Sequence, residues 1–147
     1  MRSSNLRYIL NKNGTISDKR TGLMWQKSYS YPVNGVYLNW FASWDYVINL
    51  NKNKLGGFGD WRLPTRLEIQ SIYEIEKTFK SRGRVYKLHI DPLFEFSYGS
   101  CFWTTHTRLT AALGFEFNSG ELHWYPQAGE FGSVRAVRQF MEPMVLI

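Results

Sequence analysis

Two short β-prone stretches open the chain, Tyr8-Ile9-Leu10-Asn11 and Thr15-Ile16-Ser17-Asp18, on either side of Lys12-Asn13-Gly14. Asn-Gly between such runs predicts a hairpin, because both residues tolerate the backbone of a tight turn. Thr21-Gly22-Leu23-Met24-Trp25-Gln26 predicts a further strand, and residues 28–38, rich in Tyr, Pro, Asn and Gly, read as loop. The apolar period then lengthens. Asn39 can cap a helix running from Trp40 to about Asn51, with Trp40, Trp44, Val47 and Ile48 as its buried stripe. Lys52 to Gly59, with three glycines, reads as loop.

At Asp60-Trp61-Arg62-Leu63-Pro64-Thr65 apolar and charged positions alternate and then stop. Pro64 forces Leu63 into extended backbone and cannot sit inside a helix. Thr65 can cap a helix whose Glu68 reaches back to it, a capping box. That helix is predicted from Arg66 to about Phe79, burying Ile69, Ile72 and Tyr73. Ile90-Asp91-Pro92-Leu93-Phe94 reads as a turn. Four candidate strands follow, 101–105, 112–117, 122–125 and 134–138, with Asn118-Ser119-Gly120 as a turn between the second and third. No repeat, low-complexity tract or Pro-rich linker interrupts the chain. The organisation is α+β: a terminal hairpin, two helices and a small antiparallel sheet in a single domain over residues 1–147.

Composition narrows the class. Apolar residues make up 44% of the 147 residues against 20% charged, which excludes an intrinsically disordered chain. Aromatics reach 17%, favouring strands and packed loops. No window is long and apolar enough for a membrane span. The first 20 residues lack the apolar run of a signal peptide, so a cytoplasmic or phage-associated setting is expected over Sec export. Cys101 is the only cysteine, which rules out an intrachain disulfide; beside Phe102 and Trp103 it reads as a small buried hydrophobe. His89, His106 and His123 show no metal-ligand spacing, and Gly56-Gly57-Phe58-Gly59 lacks the strand and Lys-Ser/Thr of a phosphate loop. No metal or cofactor is expected.

Net charge is +6, concentrated at Lys77, Lys80, Arg82, Arg84 and Lys87, a candidate polyanion-binding segment for sulfated glycan or nucleic acid. Between residues 103 and 131, His106, Thr107, Arg108, Glu121, His123, Tyr125 and Gln127 interleave with apolar positions. Period-two alternation would push them to one exposed face, with Trp124 in the core. Aromatic and polar side chains in such a face suit recognition of a protein or glycan. Asp60, Arg62, Arg135 and Arg138 read as structural, arginine pairing with carboxylate to fix loop geometry. The apolar end Met141 to Ile147 is expected to pack on the core or into a neighbouring subunit.

The order of these pieces carries a resemblance. Gly14-Thr15 with Asp18, Thr21-Gly22-Leu23-Met24-Trp25, Trp40 with Tyr46 and Leu50, and Asp60-Trp61-Arg62-Leu63-Pro64-Thr65 with Glu68 come first. Ile90-Asp91-Pro92 with Phe94, Phe102-Trp103-Thr104-Thr105, Phe117 with Gly120, and Val134-Arg135-Ala136-Val137-Arg138 follow. The chain resembles the C-terminal domain family of the Legionella collagen-like protein, related to formylglycine-generating-enzyme-like and C-type-lectin-like folds. The resemblance implies a non-enzymatic binding module of the kind found in adhesins, surface proteins and hypervariable receptors, with late strands and loops as ligand surface. It also implies homo-oligomers, trimers in some members, or a structural role such as in a phage tail. Two features depart from the wider pattern. Family members often carry cysteines where this chain has Val47 and Ala136, and one cysteine cannot supply the reactive pair of formylglycine-generating enzymes. Glu142-Pro143-Met144 is not the triplet of calcium-dependent lectins.

Overall fold

Tyr8–Leu10 (β1) and Thr15–Asp18 (β2) form the expected hairpin, with Gly14 at φ 83° in its turn. Leu23–Gln26 (β3) pairs antiparallel with β2, and Val137–Gln139 (β9) pairs with the far side of β3. The result is a four-stranded sheet in the order β1-β2-β3-β9, joining the two ends of the chain. These strands belong to a computed structural model that describes residues 6–77, 79–81, 84–86, 89–96 and 101–141.

The predicted loop at 28–38 contains a single short helix, Ser30–Asn34 (α1), closed by Gly35 at φ 74°. Asn39 caps Trp40–Lys52 (α2) by accepting from the Ala42 amide, as predicted. Its buried stripe is Ser43, Tyr46 and Val47, with Leu50 packed alongside. Ile48 is exposed, a correction: it lies about 100° round the helix from Val47, off the i, i+3, i+4, i+7 line.

Thr65 and Glu68 form the capping box of Arg66–Ser71 (α3). This helix stops far short of the predicted Phe79. The Ser71 carbonyl, which a continuing helix would use internally, instead accepts from the Arg7 guanidinium at 2.7 Å. The Glu74 amide donates to the His89 carbonyl. Remote partners thus take the groups that two further turns would need. Phe79–Ser81 (β4) and Arg84–Tyr86 (β5) form a separate hairpin.

Phe102–Arg108 (β6), Ala111–Glu116 (β7) and Glu121–Pro126 (β8) make an antiparallel three-stranded sheet in chain order. The larger core lies between the two sheets and α3, where Tyr8, Ile16, Trp25, Ile69, Phe102, Phe115 and Phe117 meet. A second cluster lies under α2, with Trp61, Leu63, Val134 and Ala136. Mixed α+β architecture with small antiparallel sheets is therefore the fold class.

Residues 132–139 stitch these parts together. Gly132 bridges to Leu38, Ser133 to Phe102, and Val137 to Arg62, while Val134 accepts the chain at Ser30. The predicted strand 134–138 begins only at Val137. Before it, the wholly buried Arg135 donates to the carbonyls of Gln26, Lys27, Ser28 and Glu95, with Tyr29, Phe94 and Phe96 rings around it. Burial draws its pKa down to about 9, so the guanidinium stays charged at neutral pH. Arg62 pairs with Glu68 through two bonds of 2.7 and 2.8 Å, and Arg138 with Asp60 at 2.6 Å.

Candidate functional site

The β6–β7–β8 sheet is half core and half surface. At its root Phe102, Phe115 and the partly buried Leu122 close the larger core. At its outer end Thr107 to Thr110 are exposed. Leu109 takes the first position of the two-residue turn between β6 and β7, is 96% exposed, and has φ 54°. That position favours glycine, and a non-glycine residue there is strained.

Register decides which side chains share a face. Ala112 pairs with Tyr125, Gly114 with His123 and Glu116 with Glu121, so Glu121, His123 and Tyr125 lie together on one face with Glu116. Thr107 pairs with Ala112 and joins them. The Tyr125 hydroxyl donates to Glu116 Oε2, and burial together with this bond to a carboxylate pushes its pKa up. His123 Nε2 lies 3.6 Å from Glu121 Oε1 and 4.0 Å from Glu116 Oε2. Gly114 makes room for this arrangement: a Cβ there would meet Cys101 at 2.9 Å and the Tyr125 ring at 3.0 Å. Beneath lie Cys101, Trp103 and Trp40, whose indole donates to the Thr104 carbonyl.

The six predicted ligand residues do not share that face. Arg108 pairs with Ala111, whose alternation places it on the opposite side with Leu113 and Trp124. A register shift between Trp103 and Thr107 separates the two halves of β6, and His106, next to Thr107, turns with Arg108. Gln127 is spent structurally: its side chain donates to the Leu109 and Ala111 carbonyls at 3.2 and 2.9 Å and holds the turn.

Trp124 is not in the core. It is 40% exposed, and the Arg108 guanidinium sits 4.5 Å from its ring centroid across β7. The correction has a simple cause: Trp124 is on the core-facing side of β8, but the core ends at Leu122. No described residue hydrogen-bonds or ion-pairs with the Arg108 guanidinium. Leu109 is the residue sequence reasoning missed, and Trp124 the one it assigned to the core instead of to a ligand-stacking position. Only the backbone conformation marks the first, and only register marks the second.

The predicted basic segment, Lys77, Lys80, Arg82, Arg84 and Lys87, falls only in part on the described residues. Lys77 lies 3.7 Å from the buried Asp91. Lys80 pairs with Val85 and Arg84 with Ser81 in the β4–β5 hairpin, while Arg82 and Lys87 lie outside the described residues. The apolar end beyond Met141 lies outside them as well. Among the described residues, no helix is long and apolar enough to cross a membrane, and no three His, Cys, Asp or Glu are grouped to hold a metal ion.

Comparison with known proteins gives one family: the model of the Lcl C-terminal domain matches residues 14–138. No curated protein matches the chain.

Proposed function

The chain belongs to the Lcl C-terminal domain family, and from that premise we propose a non-enzymatic recognition domain that binds a protein or a glycan at the outer end of its β6–β7–β8 sheet. We also read the α+β architecture as the C-type-lectin-like type, formylglycine-generating-enzyme-like subtype, in which late strands and loops carry the ligand.

The observation that carries this reading is the Arg108–Trp124 pair beside Leu109. Cation–π attraction holds the guanidinium over the indole and leaves its N–H groups open to a polar group on a ligand. The exposed part of the ring offers apolar contact area at small entropy cost, because the side chain sits on a strand and not on a mobile loop. Leu109 adds a strained, fully exposed apolar tip, the kind of local strain that gathers at binding sites.

Purified domain on glycan and protein arrays tests the reading, with Trp124→Ala and Arg108→Ala beside it. Both variants should fold as the parent does and lose the signal. A folded parent that is silent on both arrays, or signals that both variants keep, would refute it.

A further inference from the structure

Among the described residues β8 pairs with β7 alone, so its other side is an open edge. We propose that a second copy of this chain fills it, the two β8 strands joining antiparallel about a two-fold axis at His123. The proposal does not rest on the ligand reading above.

The hydrogen-bond phase of β8 determines which groups face out. Gln127 donates its amide to the Thr110 carbonyl, which makes 127 and 110 a bonded pair. Bonded pairs recur every second residue in an antiparallel ladder, so Tyr125, His123 and Glu121 turn their amides and carbonyls toward β7. Leu122 and Trp124 turn theirs outward. The next outward positions are closed. Pro126 has no N–H, and its carbonyl accepts from Glu130. The Gly120 amide donates to the Glu116 carbonyl.

Four groups remain: the N–H and C=O of Leu122 and of Trp124. A symmetric antiparallel pairing uses all four in one register only, Leu122 opposite Trp124 of the second copy and the reverse. Slipping by one residue in each strand one way would demand an N–H from Pro126, and the other way the occupied amide of Gly120. A heterologous peptide strand faces no such restriction, but it also gains nothing from it. The self-matching of the four open groups favours a second copy.

Side chains agree with that register. On one face Trp124, which overhangs its own core, lands opposite Leu122 of the second copy, a residue at the rim of that copy's core. Aromatic–aliphatic cross-strand pairs of this kind stabilise sheets. On the other face Glu121 lies opposite Tyr125, and no two carboxylates meet directly. β8 also lacks the inward lysine or bulge by which edge strands block association. The two Arg108–Trp124 pairs would then lie on one continuous six-stranded sheet.

Sedimentation velocity and amide hydrogen exchange on the whole chain, over a concentration series, test this. The expected result is a monomer–dimer equilibrium in which only the Leu122 and Trp124 amides of β8 slow their exchange as concentration rises. Trp124→Pro, placed where an edge strand tolerates proline, should weaken the dimer roughly tenfold or more. The exchange measurement on the parent protein stands even if that variant misfolds. A monomer at all concentrations, a trimer, or a dimer whose Leu122 and Trp124 amides exchange freely would overturn the proposal. So would a dimer that a folded Trp124→Pro leaves intact.

Discussion

Asn51, on the last turn of α2, holds both backbone groups of Trp61: its Nδ2 donates to the Trp61 carbonyl at 2.9 Å and its Oδ1 accepts the Trp61 amide at 2.7 Å. The Trp61 indole in turn donates to the Leu55 carbonyl at 3.0 Å. One amide side chain therefore fixes where the Asp-Trp-Arg-Leu-Pro-Thr segment enters the core. Asn51→Leu leaves two buried backbone groups without partners and should cost about 2–3 kcal/mol. Asn51→Asp keeps the acceptor and loses the donor, with an intermediate loss. Urea unfolding of the three proteins gives the order directly.

Glu68 joins α3 to the strand before it. Burial by itself would raise its pKa, but its bonds to Arg62 and to the Thr65 amide outweigh this and hold it below the usual carboxylate value. A carboxyl depressed in the folded state contributes stability above its unfolded pKa and loses it as pH falls through the folded one. Thermal unfolding of the parent should therefore weaken on acidification below the ordinary carboxylate range. Glu68→Gln should be less stable at neutral pH by about 1 kcal/mol or more and show a flatter acid limb. Parallel acid limbs in the two proteins would show that Glu68 contributes nothing to this dependence.

At Cys101 the sign reverses. Burial pushes the thiol up to about 12 from 9.0. A raised acid stabilises the fold fully below the unfolded pKa, and this contribution declines as pH climbs through that value toward the folded one. Stability should fall between about pH 9 and 12, and Cys101→Ala should reduce that alkaline loss. The native thiol should also resist alkylation at pH 8 and react at once in denaturant, as a mass shift will record.

Gly132 lies against the same thiol. A Cβ there would come within 2.6 Å of both the Cys101 carbonyl oxygen and its sulfur. The carbonyl is part of the Ser133–Cys101 hydrogen bond and cannot retreat. Gly132→Ala should destabilise by about 2 kcal/mol or more through overpacking. Gly35→Ala, with nothing within 4 Å of its Cβ, isolates the backbone cost alone at φ 74°. Calorimetry of both separates steric from conformational effects.

Leu109 gives the opposite expectation. Positive φ costs a non-glycine residue roughly 1–2 kcal/mol, and its side chain is 96% exposed. Leu109→Gly should raise stability by about 0.5–1 kcal/mol after glycine's own entropy cost. If Leu109 touches the ligand, the same change lowers affinity, and array binding beside a melting curve reads both.

What the sequence made legible was local. The Asn-Gly turn, the Thr65–Glu68 box and the Asn39 cap each depend on residues within a few positions of one another, so spacing alone reveals them. The pairing of Arg62 with a carboxylate was readable for the same reason, Glu68 being six residues away. The end of α3 was not readable, because Arg7 and His89 fix it from far along the chain. Alternation found Glu121, His123 and Tyr125 as neighbours within one strand. It could not relate them to Arg108, since relative faces depend on register and the shift between Trp103 and Thr107 breaks the count in β6. Trp124 was misplaced because alternation tells which side a residue takes and not where the core beneath it stops.

The seam at residues 132–139 bears on how the protein comes to be made. Among the described residues, β3 acquires its outer neighbour from Val137–Gln139, and Arg62 its bridging partner from Val137. While a ribosome is still extending the chain, the N-terminal strands must wait with one flank unfilled, since the complementary stretch is more than 110 residues downstream. A premature stop ahead of Val137 would therefore leave an unclosed intermediate with Trp25 short of its neighbour, a substrate for proteases and chaperones and not a slightly shortened version of the protein.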